Sequence, residues 1–308
     1  MGEKTTRKRP GVKNKSQESK GGVADNSKSS PGPSAGVFLL LLLLTLAAAL
    51  CGYYFLLAAP DTVFVRVTDH VQRAVYNVPC SKDYSQEEFQ DCKPKRCGRV
   101  VMDDLVRQED AEYLLRVAEK GLALGGSSGG ASILDLHTGA LSKDNTFIDI
   151  YRLLKAEKID LLTEKDFKIY KKVKDQIHDA IAAEFGVPPR KLYLTKPTFF
   201  SRMNMTTPKT IHDEYWHAHV DKETYGSFHY TSLLYLATYK QDFDGGRFVF
   251  VDNDANRTVE PKLGRVSFFT SGSENVHFVE RLTDGVRYAI TVSFTCDPSK
   301  AISDPESR

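Results

Sequence analysis

Four side chains in the C-terminal third of the chain have the types and spacing for redox chemistry at a metal: His219, Asp221, His277 and Arg287. His219-Val220-Asp221 reads as the end of a strand, Tyr215–Asp221. Strand side chains alternate faces, so His219 and Asp221 are expected to point one way and Val220 the other. A histidine brought in from a distant strand, His277, completes a set of two imidazoles and one carboxylate. Such a set suits Fe(II), because three protein ligands leave adjacent positions open for a co-substrate and for dioxygen. Arg287, ten residues beyond His277, has the planar fork that holds a carboxylate through two parallel hydrogen bonds. A dicarboxylate co-substrate is therefore expected beside the metal.

The flanking residues extend this pattern. In the strand Arg287–Phe294, one face carries Arg287, Ala289, Thr291 and Ser293, and the other Tyr288, Ile290, Val292 and Phe294. A strand lining a polar cavity, with its back against helices, alternates in this way, and it puts Thr291 beside Arg287 on the co-substrate side. Tyr235, fourteen residues after Asp221, lies in the strand Thr231–Tyr239 and is placed to offer its hydroxyl to the same carboxylate. A core tyrosine with its hydroxyl satisfied elsewhere is the competing reading. By period two, His217 shares the face of His219 and is expected to support the ligands from behind. A zinc site of His217, His219 and His277 with a water nucleophile is the rival chemistry.

Positioning these groups requires a β-rich core. Short strands are expected at Leu192–Leu194, Thr198–Met203, Tyr215–Asp221, Thr231–Tyr239, Arg247–Val251, Val266–Thr270 and Arg287–Phe294. A helical region precedes them. Residues 107–124 place Ala111, Leu114, Leu115, Ala118 and Leu122 along one side. A second helix spans Thr163 to Phe185, with Thr163 and Asp166 as a capping box and Gly186 followed by Pro188-Pro189 as its stop. Its buried stripe is Phe167, Tyr170, Val173, Ile177, Ile181 and Phe185, while His178 is expected at the surface. Gly125-Gly126-Ser127-Ser128-Gly129-Gly130 matches the G-x-S-x-G hydrolase elbow in letters, but that elbow follows a strand, and here a helix precedes it. The tract is expected to be a flexible loop. Strands after helices point to an all-β core backed by helices.

The N-terminal part of the chain is organised differently. Residues 1–34 carry eight Lys/Arg against three Asp/Glu and almost no large apolar side chains, so they are expected to be disordered. Residues 35–59 contain no charged side chain; as a helix they would reach about 37 Å, enough to cross a membrane. The basic preface places the N-terminus in the cytosol and the rest in a lumen, a single-pass type II arrangement. A membrane, not nucleic acid, is thus the expected partner of the basic tail. Cys80, Cys92, Cys97 and Cys296 follow the span and suggest two disulfides of undetermined pairing in an oxidising compartment. Asn204-Met205-Thr206 and Asn256-Arg257-Thr258 are N-glycosylation sequons on the same side.

Five features fall in register between roughly residues 195 and 298: His219-x-Asp221, Asp244-Gly245-Gly246-Arg247-Phe248, Val259-Glu260-Pro261-x-x-Gly264-Arg265, His277 and Arg287-Tyr288-Ala289-Ile290. In this the chain resembles the prolyl-hydroxylase branch of the Fe(II)/2-oxoglutarate oxygenases, and from Thr231 to Pro298 most of all the collagen prolyl 3-hydroxylase and lysyl hydroxylase catalytic domains. The resemblance implies an α+β fold with a double-stranded β-helix (jelly-roll) core backed by helices, plus the one N-terminal transmembrane helix. It also implies His219, Asp221 and His277 on iron, Arg287 on the far carboxylate of 2-oxoglutarate, and ascorbate as the reductant that keeps iron ferrous. Many members of the branch have Lys where this chain has Arg287, and either cation can pair with the carboxylate.

The expected organisation is a basic tail (1–34), a signal-anchor (35–59), a cysteine-containing lumenal stem (60–101), a helical support region (102–190), a dioxygenase domain (191–298) and a short tail (299–308). The expected activity is hydroxylation of a lumenal protein side chain, prolyl ahead of lysyl, in the endoplasmic reticulum or Golgi. A catalytically inactive oxygenase-fold binding module is the alternative.

Overall fold

The computed structural model describes residues 35–57, 61–86, 88–209 and 214–306. The expected basic tail and the last residues of the anchor lie outside them. One helix, α1 (Ala35–Leu57), carries no charged side chain and spans about 34 Å at ~1.5 Å per residue, long and apolar enough to cross a membrane.

From Asp61 onward the described residues form one compact unit. Its first strands, in chain order, are β1 (Asp61–Val65), β2 (Ala74–Val78), β3 (Cys97–Met102), β4 (Gly126–Ser127), β5 (Ala131–Leu134), β6 (Ala140–Asp144), β7 (Thr146–Asp149) and β8 (Tyr193–Met203). Then come β9 (Tyr230–Tyr235), β10 (Phe243–Gly245), β11 (Phe248–Val251), β12 (Asn256–Val259), β13 (Val266–Thr270), β14 (His277–Val279), β15 (Leu282–Gly285) and β16 (Arg287–Thr295). The helices after the span are α2 (Gln108–Ala123), α3 (Ile150–Glu157), α4 (Glu164–Phe185) and α5 (Asp221–Tyr225).

A large sheet runs β2-β3-β13-β9-β16-β8-β5-β6-β4, and a smaller one runs β1-β12-β11-β14. They face each other across a small inner cluster: Val101, Leu233, Tyr235, Phe269 and Ala289 from the large sheet, Val65, Phe248, Phe250, Val259 and Val279 from the small one. The outer face of the large sheet is covered by α2 and α4 in a larger core that includes Leu114, Phe167, Ile177, Phe185, Leu234, Phe268, Ile290 and Phe294. Alternation along β16 divides as its sequence requires: Ala289 lies inside, and Ile290, Val292 and Phe294 lie under the helices.

The second long helix, α4, forms where its residues demand it. Thr163 and Asp166 make the reciprocal capping box, with the Thr163 N–H donating to Asp166 Oδ2 at 2.6 Å. Gly186 ends the helix in the left-handed region at φ 68°, where a β-carbon would be strained. All six stripe residues from Phe167 to Phe185 are buried.

The structure corrects several expectations. Residues 60–101 are not a stem apart from the core. There β1 pairs with β12, and β3 joins the large sheet between β2 and β13, burying Val65, Val100 and Val101. The disulfides are Cys80–Cys97 and Cys92–Cys296, and the second ties this segment to the end of β16. The glycine-serine tract is not simply a loop, because Gly126 and Ser127 pair with β6 as β4. His178 is half-buried, its ring donating to the Leu192 carbonyl at 3.0 Å and packing near Phe294. Leu192–Leu194 and Thr198–Met203 are one continuous strand, β8. The β5–β7 ribbon and α3 were not foreseen, because each element is short, four to eight residues, and mixes polar with apolar side chains.

Arg265, from the Gly264-Arg265 feature, is wholly buried at the seam between the early and late strands. Its Nε donates to Asp103 Oδ1 at 2.6 Å, and Nη1 donates to the carbonyls of Glu260 at 2.7 Å and Arg66 at 3.0 Å. Burial pushes the Asp103 carboxyl upward, but the Arg265 guanidinium, the Val71 N–H and the Lys262 charge together hold the group below its usual range. Removing one partner of a buried pair costs about 3–5 kcal/mol, so Asp103→Asn should lower the denaturant midpoint by a corresponding amount. A carboxyl depressed on folding stabilises above its unfolded value and loses that effect as pH falls below about 4. The acid limb of the wild-type stability curve should therefore be shallower in Asp103→Asn.

Candidate metal and co-substrate site

Three donors meet at one end of the inner face. His219, Asp221 and His277 offer ligand atoms that all lie within 4.8 Å of one another. His219 and His277 are joined by an isolated antiparallel bridge, each N–H donating to the other's carbonyl at 3.0 Å. That bridge extends the small sheet by one residue and sets the two imidazoles side by side, their ring centroids 4.4 Å apart.

The expected strand Tyr215–Asp221 is a correction. Residues 215–217 make a turn, His219 alone bridges, and Asp221 opens α5. Val220 between them is nevertheless extended, at φ −114° and ψ 125°, so His219 and Asp221 still fall on one side by alternation, and the chain coils into α5 only from Asp221 onward.

Each of the three candidate donors is oriented from behind. The Nδ1–H of His277 donates to the Asn275 carbonyl at 2.9 Å, and that of His219 to the His217 carbonyl at 2.9 Å. Both Nε2 atoms consequently face Asp221 Oδ1, at 3.4 Å from His219 and 3.6 Å from His277. The other oxygen, Asp221 Oδ2, accepts from Thr231 Oγ1 at 2.5 Å, and that hydroxyl lies 2.8 Å from Ser271 Oγ. Donors about 2.1 Å from a shared ion at right angles stand about 3 Å apart, so a small inward movement would close the set around Fe(II). His277 is buried among Phe248, Phe250 and Phe269, whereas His219 has 34% of its side chain exposed and marks the open side. Burial pushes the Asp221 carboxyl up, but His277, His219 and Thr231 together hold it below its ordinary value. Burial also depresses His219, yet its bonds to Asp221 and the His217 carbonyl leave it raised.

His217 does not serve as a ligand. Its side chain is exposed and bonded to Glu214, and only its main-chain carbonyl supports His219. The zinc arrangement with three histidines loses its third member on this geometry.

Arg287 lies at the start of β16, wholly buried, with Met203 as its cross-strand partner. One nitrogen, Nη1, contacts Met203 Sδ at 3.7 Å, while Nε and Nη2 have no hydrogen-bond partner among the described residues. Burial pulls its pKa down, the response of a cation without an anion. A dicarboxylate such as 2-oxoglutarate would supply the missing acceptors through the bidentate geometry that guanidinium favours.

Tyr235 is adjacent but differently engaged. Its ring lies 5.5 Å from the Arg287 carbon, and its hydroxyl pairs with Ser267 Oγ at 3.0 Å. The hydroxyl therefore has a partner of its own, as the competing core reading required. Thr291 stands half-buried on the same face of β16, opposite Leu233. Thr231 and Ser271 were missed as site residues. Alternation put Thr231 on the face of Tyr235, but only the register of β9 against β13 and β16 reveals the carboxylate it serves.

Residues 203–295 match the 2OG-Fe(II) oxygenase superfamily. The chain is 54% identical over 262 residues to "2-oxoglutarate and iron-dependent oxygenase domain-containing protein 3" of Xenopus tropicalis, covering 83% of each chain. To the protein of the same name from Homo sapiens it is 54% identical over 244 residues, 79% of this chain and 76% of that one. Prolyl 3-hydroxylase 2 of Mus musculus matches over 72 residues at 44% identity, 22% of this chain and 10% of that one. Identity sustained over most of the length, and a two-histidine, one-carboxylate set beside a buried guanidinium, agree on one assignment: the chain belongs to the 2OG-Fe(II) oxygenase superfamily.

Proposed function

We propose that this protein is a membrane-anchored lumenal dioxygenase that couples oxidative decarboxylation of 2-oxoglutarate to hydroxylation of a protein side chain, prolyl ahead of lysyl. The observation that carries the reading is the Arg287 guanidinium, sealed in the interior with two nitrogens unbonded and standing on the inner face that also holds the three donors. When bound, Fe(II) with 2-oxoglutarate activates dioxygen, so that one oxygen atom goes to succinate as carbon dioxide leaves and the other enters a C–H bond of the substrate. His219, Asp221 and His277 would hold the metal, and the partial exposure of His219 marks the side open to solvent. Arg287 grips the distal carboxylate, with the Tyr235 ring beside it and Thr291 further along the same wall. Phe248, Phe250 and Phe269 keep water from the back of His277.

The two-sheet core with helices on one face supports a double-stranded β-helix. Partial identity to a prolyl 3-hydroxylase favours prolyl over lysyl substrates, and ascorbate is the proposed reductant. For topology, α1 provides the anchor, the basic residues before it favour a cytosolic N-terminus, and two disulfides suit an oxidising lumen of the endoplasmic reticulum or Golgi. Asn204 and Asn256 are the proposed glycan acceptors; each is half-buried in this structure, Asn204 accepting from the Thr206 N–H at 2.9 Å and Asn256 lying in β12.

Full-length protein in detergent, given Fe(II), ascorbate, 2-oxoglutarate and a panel of prolyl and lysyl peptides, should release succinate in step with peptide hydroxylation. His219→Ala should abolish both; succinate no higher than in that variant across the whole panel would instead indicate a binding module. Arg287→Gln should raise the KM for 2-oxoglutarate at least tenfold, the equivalent of losing about 1.5–3 kcal/mol of charged hydrogen bonding. In microsomes the wild-type chain should shift on glycosidase treatment, and Asn204→Gln with Asn256→Gln should remove that shift. Wild-type chain without any shift would contradict lumenal glycosylation.

A further inference from the structure

We propose that Arg99 and Asn275 form a positioning device for His277, fixing its ring in the tautomer and orientation that present Nε2 to the metal. The inference rests on the reading of His219, Asp221 and His277 as metal ligands, and it ties to them Arg99, from the segment expected to be a stem outside the dioxygenase domain.

Arg99 lies in β3, opposite Phe269 of β13, and is wholly buried. All three of its nitrogens are engaged. Nε donates to Asn275 Oδ1 at 2.7 Å, while Nη1 and Nη2 donate to the two oxygens of Asp252 at 2.7 and 2.5 Å. Nη2 also reaches the Glu274 carbonyl at 3.4 Å, and the guanidinium carbon sits 4.1 Å from the Phe250 ring centroid.

Asn275 is buried as completely. Its Nδ2 donates to Thr270 O at 2.7 Å and Thr270 Oγ1 at 3.0 Å, so its side chain is held at both ends. Its main-chain carbonyl then accepts from His277 Nδ1 at 2.9 Å. Rotating that carbonyl away would require breaking three buried hydrogen bonds of the Asn275 side chain.

A second route leads to the same histidine. Phe250, beneath the Arg99 guanidinium, is the cross-strand partner of His277 in the β11–β14 ladder. The proton on Nδ1 and the plane of the ring are thus both set by groups that converge on Arg99. His219 has no such apparatus, since the carbonyl it uses belongs to the exposed residue His217.

The acceptor opposite a ligand's metal-binding nitrogen decides which nitrogen carries the proton, and changing such a partner typically costs about 10–100-fold in metal affinity. Lysine cannot replace this arginine, because a single ammonium cannot grip both Asp252 oxygens and reach Asn275 at once.

The test uses full-length protein in detergent and two readouts besides turnover. Co(II) affinity is followed by visible absorption, and the His277 tautomer is read from imidazole nitrogen resonances of the metal-free protein. Arg99→Lys should weaken Co(II) binding by about 10–100-fold. It should also replace the single Nδ1–H tautomer of His277 with an exchanging mixture. Asp103→Asn, which destabilises the fold away from His277, should keep wild-type Co(II) affinity and a single tautomer. Arg99→Lys with wild-type affinity and tautomer would overturn the proposal. So would Asp103→Asn losing affinity in proportion to its lost stability. If Arg99→Lys does not fold, Asp252→Asn loosens the same clamp and is judged by the same outcomes. Wild-type protein that fails to bind Co(II), or His219→Ala that binds it normally, would strike the metal assignment itself; the metal-free tautomer measurement would still decide the role of Arg99.

Discussion

Burying a guanidinium without a counter-ion costs several kcal/mol, and among the described residues Nε and Nη2 of the buried Arg287 have no hydrogen-bond partner. Arg287 pairs with Met203 of β8, and two residues on Ala289 pairs with Tyr235 of β9, so the strand that carries the cation is fixed along both edges. The cation stays inside because the strand that carries it is anchored by apolar residues of the opposite face. Ile290, Val292 and Phe294 pack beneath α2 and α4, and sliding β16 by one residue would turn them onto the polar inner face and carry Arg287 under the helices. The same alternation that stabilises the large sheet therefore keeps the inner face charged and incomplete.

This division of labour explains why the molecule needs its helical region. The inner cluster between the sheets is small, and one end of it is given to polar donors. Most of the apolar burial is on the outer face, where the α4 stripe and α2 cover the sheet. Stability comes from the back of the sheet, and chemistry is left to the front.

The early part of the compact unit does a third job. Its disulfide to Cys296 joins residues 204 positions apart, and Cys80–Cys97 closes a loop whose Tyr84 hydroxyl accepts from the Gly272 N–H at 3.0 Å and bonds to Glu274. The turn so gripped carries Ser271, behind Asp221, at one end and Asn275, behind His277, at the other. Two of the three candidate metal donors are thus steadied through one turn, held by a segment nearly two hundred residues earlier in the chain.

Much of this was legible in residue order. Regular local periodicity determined α4 with both its caps, the two-faced character of β16 and the length of α1. The types of His219, Asp221, His277 and Arg287 determined the class of chemistry, because few sets of side chains suit an open ferrous site beside a carboxylate clamp. The tertiary structure decided which backbone carried them: Asp221 reaches the site from a helical turn, His217 contributes a carbonyl instead of a ring, and Tyr235 gives its hydroxyl to Ser267. It also drew the supposed stem into the sheet and chose the disulfide pairing. The reason is one of range. Alternation and capping act over a few residues and leave a trace in composition. A cross-strand register, a hydrogen bond from Thr231 to Asp221, or an arginine at position 99 braced against an asparagine at 275 depends on which distant segments meet, and local pattern does not record it.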